Sequence, residues 1–349
     1  MKNDLPIRAV DVRAIDVGYD GTKYTTGRCP TSNSIVAASF PSLAPRIAST
    51  QQVDGSGQRS RGVLIGVRGV DYFVGPDAPL QAAGSEPRPV DPDYCMADRY
   101  YALSLGALND MAAADGAGVD YVIRHLVLGL PLTTFGQHKR ALAAKMTGSH
   151  EVKSTSGQLV RRVLVEHVTV LVQPVGALMS LNSASAHDGM NVVIDAGGGT
   201  FDWLVTNGLK VNWSRSGSHP KAMRHCAMAV ADGINKSWRN KYEIMDAIDK
   251  ALRTGGSSFH VGAREYQLAP HRAAVEAVLE ESVTTMLGST DSLDSAGTII
   301  FAGGGAPLFF KYMAAKFPHL THAMVADPNP VYSNVYGFHL GGESALVRN

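Results

Sequence analysis

Cysteine is scarce in this chain and follows no pattern. Cys29, Cys95 and Cys226 are odd in number, widely spaced and without a C-x-x-C. A disulfide framework and a thiolate zinc site are thereby excluded, and a reduced, cytoplasmic setting is expected. Charge of one sign is not in excess either: 32 basic against 31 acidic residues give a formal net charge of +1. A protein that coats nucleic acid usually carries a clear basic surplus, so direct nucleic-acid binding is not expected, although local basic patches are compatible with the total. No uninterrupted apolar run reaches the roughly 18 residues of a membrane span, and the N-terminal MKNDLPIRAVDVRAIDV has no apolar signal core. Membrane contact is not expected. Familiar catalytic signatures are missing as well: there is no Gly–Lys dipeptide and so no Walker A loop, no H-E-x-x-H, no G-x-S-x-G, and no G-x-G-x-x-G behind a first strand.

The 349 residues are enough for two domains with a substantial core. Their most telling stretch is VIDAGGGTFDW at 193–203. Val192, Val193 and Ile194 make a β-branched run suited to an interior strand, which Asp195 ends. Gly197, Gly198 and Gly199 then let successive N–H groups turn inward around an anion, with Thr200 and Asp202 at the mouth of the turn. Taken alone, the stretch is equally a tight hairpin with glycines at positive φ. A second copy favours the anion site. AIDVGYDGTKY at 14–24 repeats the apolar lead-in, the aspartate (Asp16), a glycine two residues on (Gly18) and a polar tail that includes Tyr19, Thr22 and Lys23. Asp16 and Asp195 lie 179 residues apart, about half the chain. One such turn per half suggests a duplicated domain with the two turns facing each other across a cleft. A third strand, IIFAGGGAPLFF at 299–310, empties into Gly303, Gly304 and Gly305 and then a Pro-initiated helix.

This order of elements resembles the actin superfamily, whose first turn carries D-x-G-x-x-x-x-K; Asp16, Gly18 and Lys23 match it at the same spacing. Asp195 with its glycines is similar to the family's second phosphate turn, Gly303–Gly305 to its adenosine loop, and Gln173 in LVQPVGAL to the Gln or Glu of the strand-to-helix connection between them. DPNPVYSNVYGFHLGG at 327–342 resembles plasmid-segregation actins of the ParM/StbA type. FPSLAPRI, RYYALSLGAL and LVLGLPL look most like the ParM-type protein of plasmid-borne PRTRC cassettes. The resemblance implies an α/β, actin-like (ribonuclease H-like) duplicated two-domain fold with a nucleotide cleft between the domains. Domain I would span 1–175, with the helix of 331–349 packing back on it, and domain II 176–330.

Along the chain, residues 1–12 read as a polar lead before the first strand, and 25–75 as hairpins of a mixed sheet. STQQVDGSGQRSRG (49–62) and the proline-rich 76–92 read as loops. From Asp93, Tyr94, Ala97, Tyr101, Leu105, Leu108 and Met111 share a helical face, and Tyr100 and Tyr101 read as core or boundary residues. YVIRHLVLGLPL is a strand followed by a helix from about Thr133 to Met146, with His125 a sheet-face residue rather than a ligand. The strand 161–174 delivers Gln173 to the Pro174-started helix PVGALMSLNSASA. HPKAMRHCAMAVADGINKSWRN reads as one helix, YEIMDAIDKALRTG as a second and HRAAVEAVLEESVTTMLGS as a third. The last helix begins near Tyr332. His219, His225 and Cys226 raise a metal hypothesis, but at helical spacing they share a face poorly.

The chemistry implied is a split nucleotide site for ATP (or GTP) and Mg2+. Two glycine turns would offer N–H donors to a polyphosphate, Lys23 would add a cation, and Asp16 and Asp195 would hold Mg2+ mainly through its water shell. Gln173 would orient the attacking water, the role the resemblance assigns to that position. Adenine would lie against Gly303–Gly305, bordered by Tyr332 and Asn334, with Lys236 and Lys241 as weak candidates for base and ribose contacts. The resemblance then implies an ATPase (ATP + H2O to ADP + phosphate) whose filaments, a homopolymer, segregate plasmid DNA through a DNA-bound adaptor. A small-molecule kinase and a non-polymerising nucleotide switch are the alternatives. The kinase would need a carboxylate base where Gln173 stands.

Overall fold

Alternating and continuous apolar runs place the strands, and the computed structural model describes residues 7–47, 60–82, 91–153, 158–181 and 189–347. The first strand, β1 (Arg8–Val17), is exposed at its start and buried over its last six residues. It thus begins inside the stretch that reads as a polar lead: Arg8, Ala9 and Val10 pair with Tyr121, Val122 and Ile123 of the strand beside them, and of residues 8–11 only Val10 is partly buried. Next come β2 (Gly21–Arg28), β3 (Ile35–Pro41), the hairpin β4 (Val63–Val67) and β5 (Val70–Val74), the short α1 (Ala78–Gln81), α2 (Asp98–Ala114), β6 (Asp120–Leu130), α3 (Leu132–Met146), β7 (Gly148–Lys153), β8 (Leu159–Val172) and α4 (Gln173–Ser180). Six of these strands form a mixed sheet in the order β3-β2-β1-β6-β8-β7, with β1, β6 and β8 parallel. Residues 49–59 of the loop expected at 49–62, 83–90 of the stretch 76–92 and the end of the helix after Leu181 lie outside the described residues, and α1 occupies part of 76–92.

The second half repeats the plan. It contains β9 (Met190–Ala196), β10 (Phe201–Asn207), β11 (Lys210–Val211), β12 (Gly217–His219), α5 (Met223–Ile234), α6 (Tyr242–Arg253), the hairpin β13 (Ser258–Val261) and β14 (Arg264–Gln267), α7 (Arg272–Thr290), β15 (Ala296–Ala302), α8 (Ala306–Lys316), β16 (Met324–Ala326) and α9 (Ser333–Val347). Its sheet runs β11-β10-β9-β15-β16, again an antiparallel hairpin continued by parallel strands, with β12 also on β10. The fold is therefore two-domain, actin-like and α/β, each domain a mixed sheet with helices. Asp16 and Asp195 occupy equivalent places, at the carboxyl ends of β1 and β9, where open α/β sheets bind ligands.

The stretch HPKAMRHCAMAVADGINKSWRN is not one helix. Asn235 is extended at φ −158° and its side chain accepts from the Ser237 N–H, so α5 stops at Ile234 and a short 3-10 turn, Lys236–Asn240, follows. Asparagine competes with the helix for backbone donors, and here it wins. Cys226 is buried in the second domain's core with its thiol pushed up to about 12 by burial, while His219 lies against Glu281. Among the described residues no three His, Cys, Asp or Glu gather around one point to hold a metal ion. His125 shares a hydrogen bond with Thr169 Oγ1 across β6 and β8 at 2.8 Å.

The helices α4 and α9 cross between the two sheets. α4 puts Ala177 and Leu178 against Val193, Leu204 and Ile300 of the second sheet. α9 puts Val335 and Phe338 against Ala14 and Val127 of the first. They meet at glycines: a Cβ on Gly176 would run into the Asn334 backbone, and one on Gly337 into the Gly176 carbonyl. Replacing Gly337 by Ala forces these backbones apart, and overpacking of this kind costs about 1–3 kcal/mol or more. Gly337→Ala is expected to lower the denaturation midpoint accordingly, whereas Gly136→Ala, with nothing near its Cβ position, is expected to leave it unchanged or raise it. Chemical denaturation of both variants checks this.

Candidate functional site

The two acidic turns open onto one cavity of about 480 Å³ between the sheets, within the ordinary range for a small-molecule site. Pairing of Asp16 with Lys23 across β1 and β2 fixes the first turn, which closes with Gly18 N–H donating to Gly21 O at 3.1 Å. Lys23 reaches back over Gly18 and places Nζ 3.6 Å from Asp16 Oδ2. The second turn sits in the β9–β10 hairpin, where Gly197 N–H donates to Thr200 O at 3.0 Å. The carbonyls of Gly197 and Gly198 accept from Met223 N and Arg224 N at the start of α5. Carbonyl and N–H point oppositely across a trans peptide, so the N–H groups of Gly198 and Gly199 face away from that helix.

Each aspartate is held by one side-chain amide. Gln173 Nε2 donates to Asp16 Oδ1 at 2.6 Å, and Asn334 Nδ2 donates to Asp195 Oδ2 at 2.7 Å. All four residues are buried. Burial, and secondarily the nearby charge of Asp16, push the Asp195 carboxyl up to about 6 against the opposing pull of Asn334 and Lys23. Burial likewise lifts Asp202 to about 7, with Asp195 adding to it and Ser218 and Thr200 opposing. Thr200 Oγ1 donates to Asp202 Oδ2 at 2.9 Å. Buried carboxylates that resist ionisation beside one another are the arrangement a divalent cation relieves.

Most of the residues singled out from sequence line this cavity: Asp16, Gly18, Tyr19, Lys23, Gln173, Asp195, Gly197, Gly198, Gly199, Thr200, Asp202, Gly303, Gly304 and Asn334. Three do not. Thr22 neighbours Lys23 on a strand, so it faces the other side of the sheet, fully buried and paired with Ser42 Oγ at 2.9 Å. Gly305 caps the start of α8, its N–H bound to Ala196 O, where a Cβ would run into Met223. Tyr332 turns toward the first sheet, its hydroxyl 3.0 Å from Ser39 Oγ. Asn334, in the cavity, gives its side-chain amide to Asp195. Gly303, at φ +82°, bends its backbone so closely over Asp195 that a Cβ would meet Oδ1 at 2.5 Å.

Sequence reasoning missed the far wall. Neither Lys236 nor Lys241 lines the cavity; Arg239, Asn240, Tyr242, Asp246, Asp249 and Arg253 do. Arg253 packs on Gly304 and its Nε donates to Asp249 Oδ2 at 2.6 Å, while burial raises Asp249 to about 6. The helical spacing of Asp246, Asp249 and Arg253 puts them on one face of α6. The available signal was that polar face on a helix flanked by core positions. Tyr94 and Tyr100 close the other side, Tyr94 stacking on Tyr19 at 5.6 Å. No helix among the described residues is long and apolar enough to cross a membrane.

The cavity fits a magnesium-bound nucleotide by its donor set: backbone N–H groups and Lys23 for phosphates, paired carboxylates for a hydrated hard cation, and a side-chain-free loop for a flat base. Comparison with known proteins agrees with the architecture. Residues 14–176 match the family model described as actin like proteins N terminal domain, and residues 193–314 match that described as archaeal actin homologue MreB-like, C-terminal. No curated protein matches the sequence itself. Among solved structures, the fold is similar to Ta0583, an archaeal actin homolog also solved in complex with ADP (20% identity, 96% of this chain and 100% of that one, TM-score 0.72). It is similar to the actin-like protein Alp7A (14%, 97% and 97%, 0.74). A 15-stranded ParM filament from Clostridium botulinum is a further likeness (19%, 95% and 99%, 0.71). An actin-like model matches each half, and the two-domain actin-like fold extends over nearly the whole chain, so the protein is actin-like in architecture.

Proposed function

We propose that this actin-like protein is an ATPase that binds Mg·ATP between its two halves and assembles into filaments. The observation that carries the reading is the meeting of two acidic–glycine turns, one from each sheet, in a single cavity. On this reading the chain divides near residue 175: 1–175 with the returning 331–349 form one domain, and 176–330 the other. The glycine turns and Lys23 bind the phosphates. Asp16 and Asp195 hold the water shell of Mg2+, which neutralises the charge that develops on the phosphates. With its amide nitrogen committed to Asp16, Gln173 keeps its carbonyl oxygen to accept a hydrogen from water and align it for attack. The glycines at 303 and 304 receive the base, and Asp246 and Asp249 stand where ribose hydroxyls need acceptors.

Filament formation is supported by the likeness to an assembled ParM filament. By the same likeness, and by the ParM/StbA-like and PRTRC-like motifs, the filaments segregate plasmid DNA through a DNA-bound adaptor. Pelleting and electron microscopy with ATP and with ADP test assembly. A protein that stays unassembled with both nucleotides refutes it.

Two outcomes test the site. Asp195→Ala is expected to abolish Mg-dependent hydrolysis, and Gln173→Ala to slow it on the order of 10–100-fold with little change in nucleotide affinity, because one removes metal anchoring and the other only water alignment. Phosphate release and equilibrium binding separate the two. The second outcome follows from the raised carboxyls. The folded protein binds protons at Asp195 and Asp202 that the unfolded chain has released, so stability without nucleotide falls as pH rises from about 4 through about 6–7. Asp202→Asn is expected to raise the melting temperature by a few degrees at pH 8 and hardly at all at pH 5. Melting curves at the two pH values check it. Equal shifts at both would show that the charge is not the cause.

A further inference from the structure

The two turns differ in what they send toward each other. The second offers bare glycines. The first sends the side chains of Tyr19 and Asp20 across the gap: a Cβ on Gly199 would meet the Tyr19 ring at 2.8 Å, and a Cβ on Gly198 would fall on the Asp20 carboxylate itself. The Asp20 backbone is pinned, since its carbonyl accepts from Ser42 N at 3.0 Å, so this placement belongs to the turn's own geometry. Because the carbonyls of Gly197 and Gly198 are drawn to the start of α5, the N–H groups of Gly198 and Gly199 are the donors left to receive an anion, and the Asp20 carboxylate lies against Gly198 beside them.

We propose that the Asp20 carboxylate is a built-in anion that occupies the phosphate seat of the second glycine turn, and that an entering nucleotide phosphate must displace it. This rests on the nucleotide reading above. A carboxylate presents two partly charged oxygens in a plane, much as one edge of a phosphate does, and one seat cannot hold two anions. Asp20 also acts from within the cleft on Asp249, whose carboxyl is lifted first by burial and further by Asp20. Occupancy of the seat sets a tax on affinity: if it is free in one molecule of ten, removing the occupant tightens binding about tenfold. The side chain therefore regulates the site by setting how much nucleotide is needed to fill the seat.

The test uses the full chain with Asp20→Asn, which keeps size and removes charge, and Asp20→Gly, which removes the side chain. Hydrogen exchange without nucleotide reads the seat directly. The amides of Gly198 and Gly199 are expected to exchange several-fold faster in both variants, and pyrophosphate to restore protection in Asp20→Gly while leaving the parent protein unaffected. Affinity for ATP is expected to rise about tenfold or more in both. Unchanged exchange, or ATP bound equally by all three proteins, overturns the proposal while the nucleotide reading stands. Weaker Mg·ATP binding in both variants also overturns it, by making Asp20 a metal ligand. If pyrophosphate protects the turn in Asp20→Gly but no protein binds ATP, the seat stands and the nucleotide reading falls.

Discussion

The contact on which the site depends is the glycine crossing of α4 and α9. Gly176 and Gly337 let the two helix backbones touch, and that closeness exchanges their loyalties. α4 packs on the second sheet yet gives the Gln173 amide to Asp16 of the first; α9 packs on the first sheet yet gives the Asn334 amide to Asp195 of the second. Each carboxylate is therefore oriented by a helix seated on the opposite domain. A rotation of one domain against the other changes both hydrogen bonds together. Side chains at the crossing would separate the helices by an ångström or more and leave two buried aspartates without their donors, each a loss of about 1–3 kcal/mol.

The same burial that positions the carboxylates makes them costly. Asp195 and Asp202 are lifted toward neutrality by desolvation, and Lys23 is the cation nearest the pair formed with Asp16. A hydrated divalent ion would supply the missing positive charge without a dedicated cage of protein ligands, which suits the proposed metal that arrives with its nucleotide. On the proposed function, a ligand that binds only the folded chain would offset that cost, the usual relation between a strained site and its function.

Much of this was legible in the chain. Val193–Ile194–Asp195 and Ile15–Asp16, followed by glycine, announce two strand-to-turn corners, because β-branched runs need burial and glycines need a backbone reason. Gln173 was legible as a strand-end residue before a proline-started helix. Thr22 was misplaced because a motif gives spacing and not the face of a strand; one residue from Lys23, it points into the sheet's other side. Tyr332 shows a similar limit, since proximity in sequence to Asn334 says nothing about which sheet its hydroxyl reaches. The wall formed by Arg239, Asp246, Asp249 and Arg253 had no motif at all. Its only local sign was the polar face that Asp246, Asp249 and Arg253 share on α6; that this face meets Gly304 through Arg253 is a tertiary fact.

Duplication explains the shared topology, and departure from it explains the division of labour. β1 and β9 carry their aspartates at matching positions, and the hairpins beside them run the same way. Yet the first turn presents Tyr19 and Asp20 where the second presents Gly198 and Gly199, and the two surfaces are complementary: side chains on one side, exposed backbone on the other. Two identical glycine turns would leave a gap that only ligand could fill, and two side-chain-bearing turns would collide. An unequal pair lets the side chains of one turn lie against the bare backbone of the other. The asymmetry between the repeats thus sets how closely the two turns approach, with the Tyr19 ring and the Asp20 carboxylate of the first against the glycines of the second.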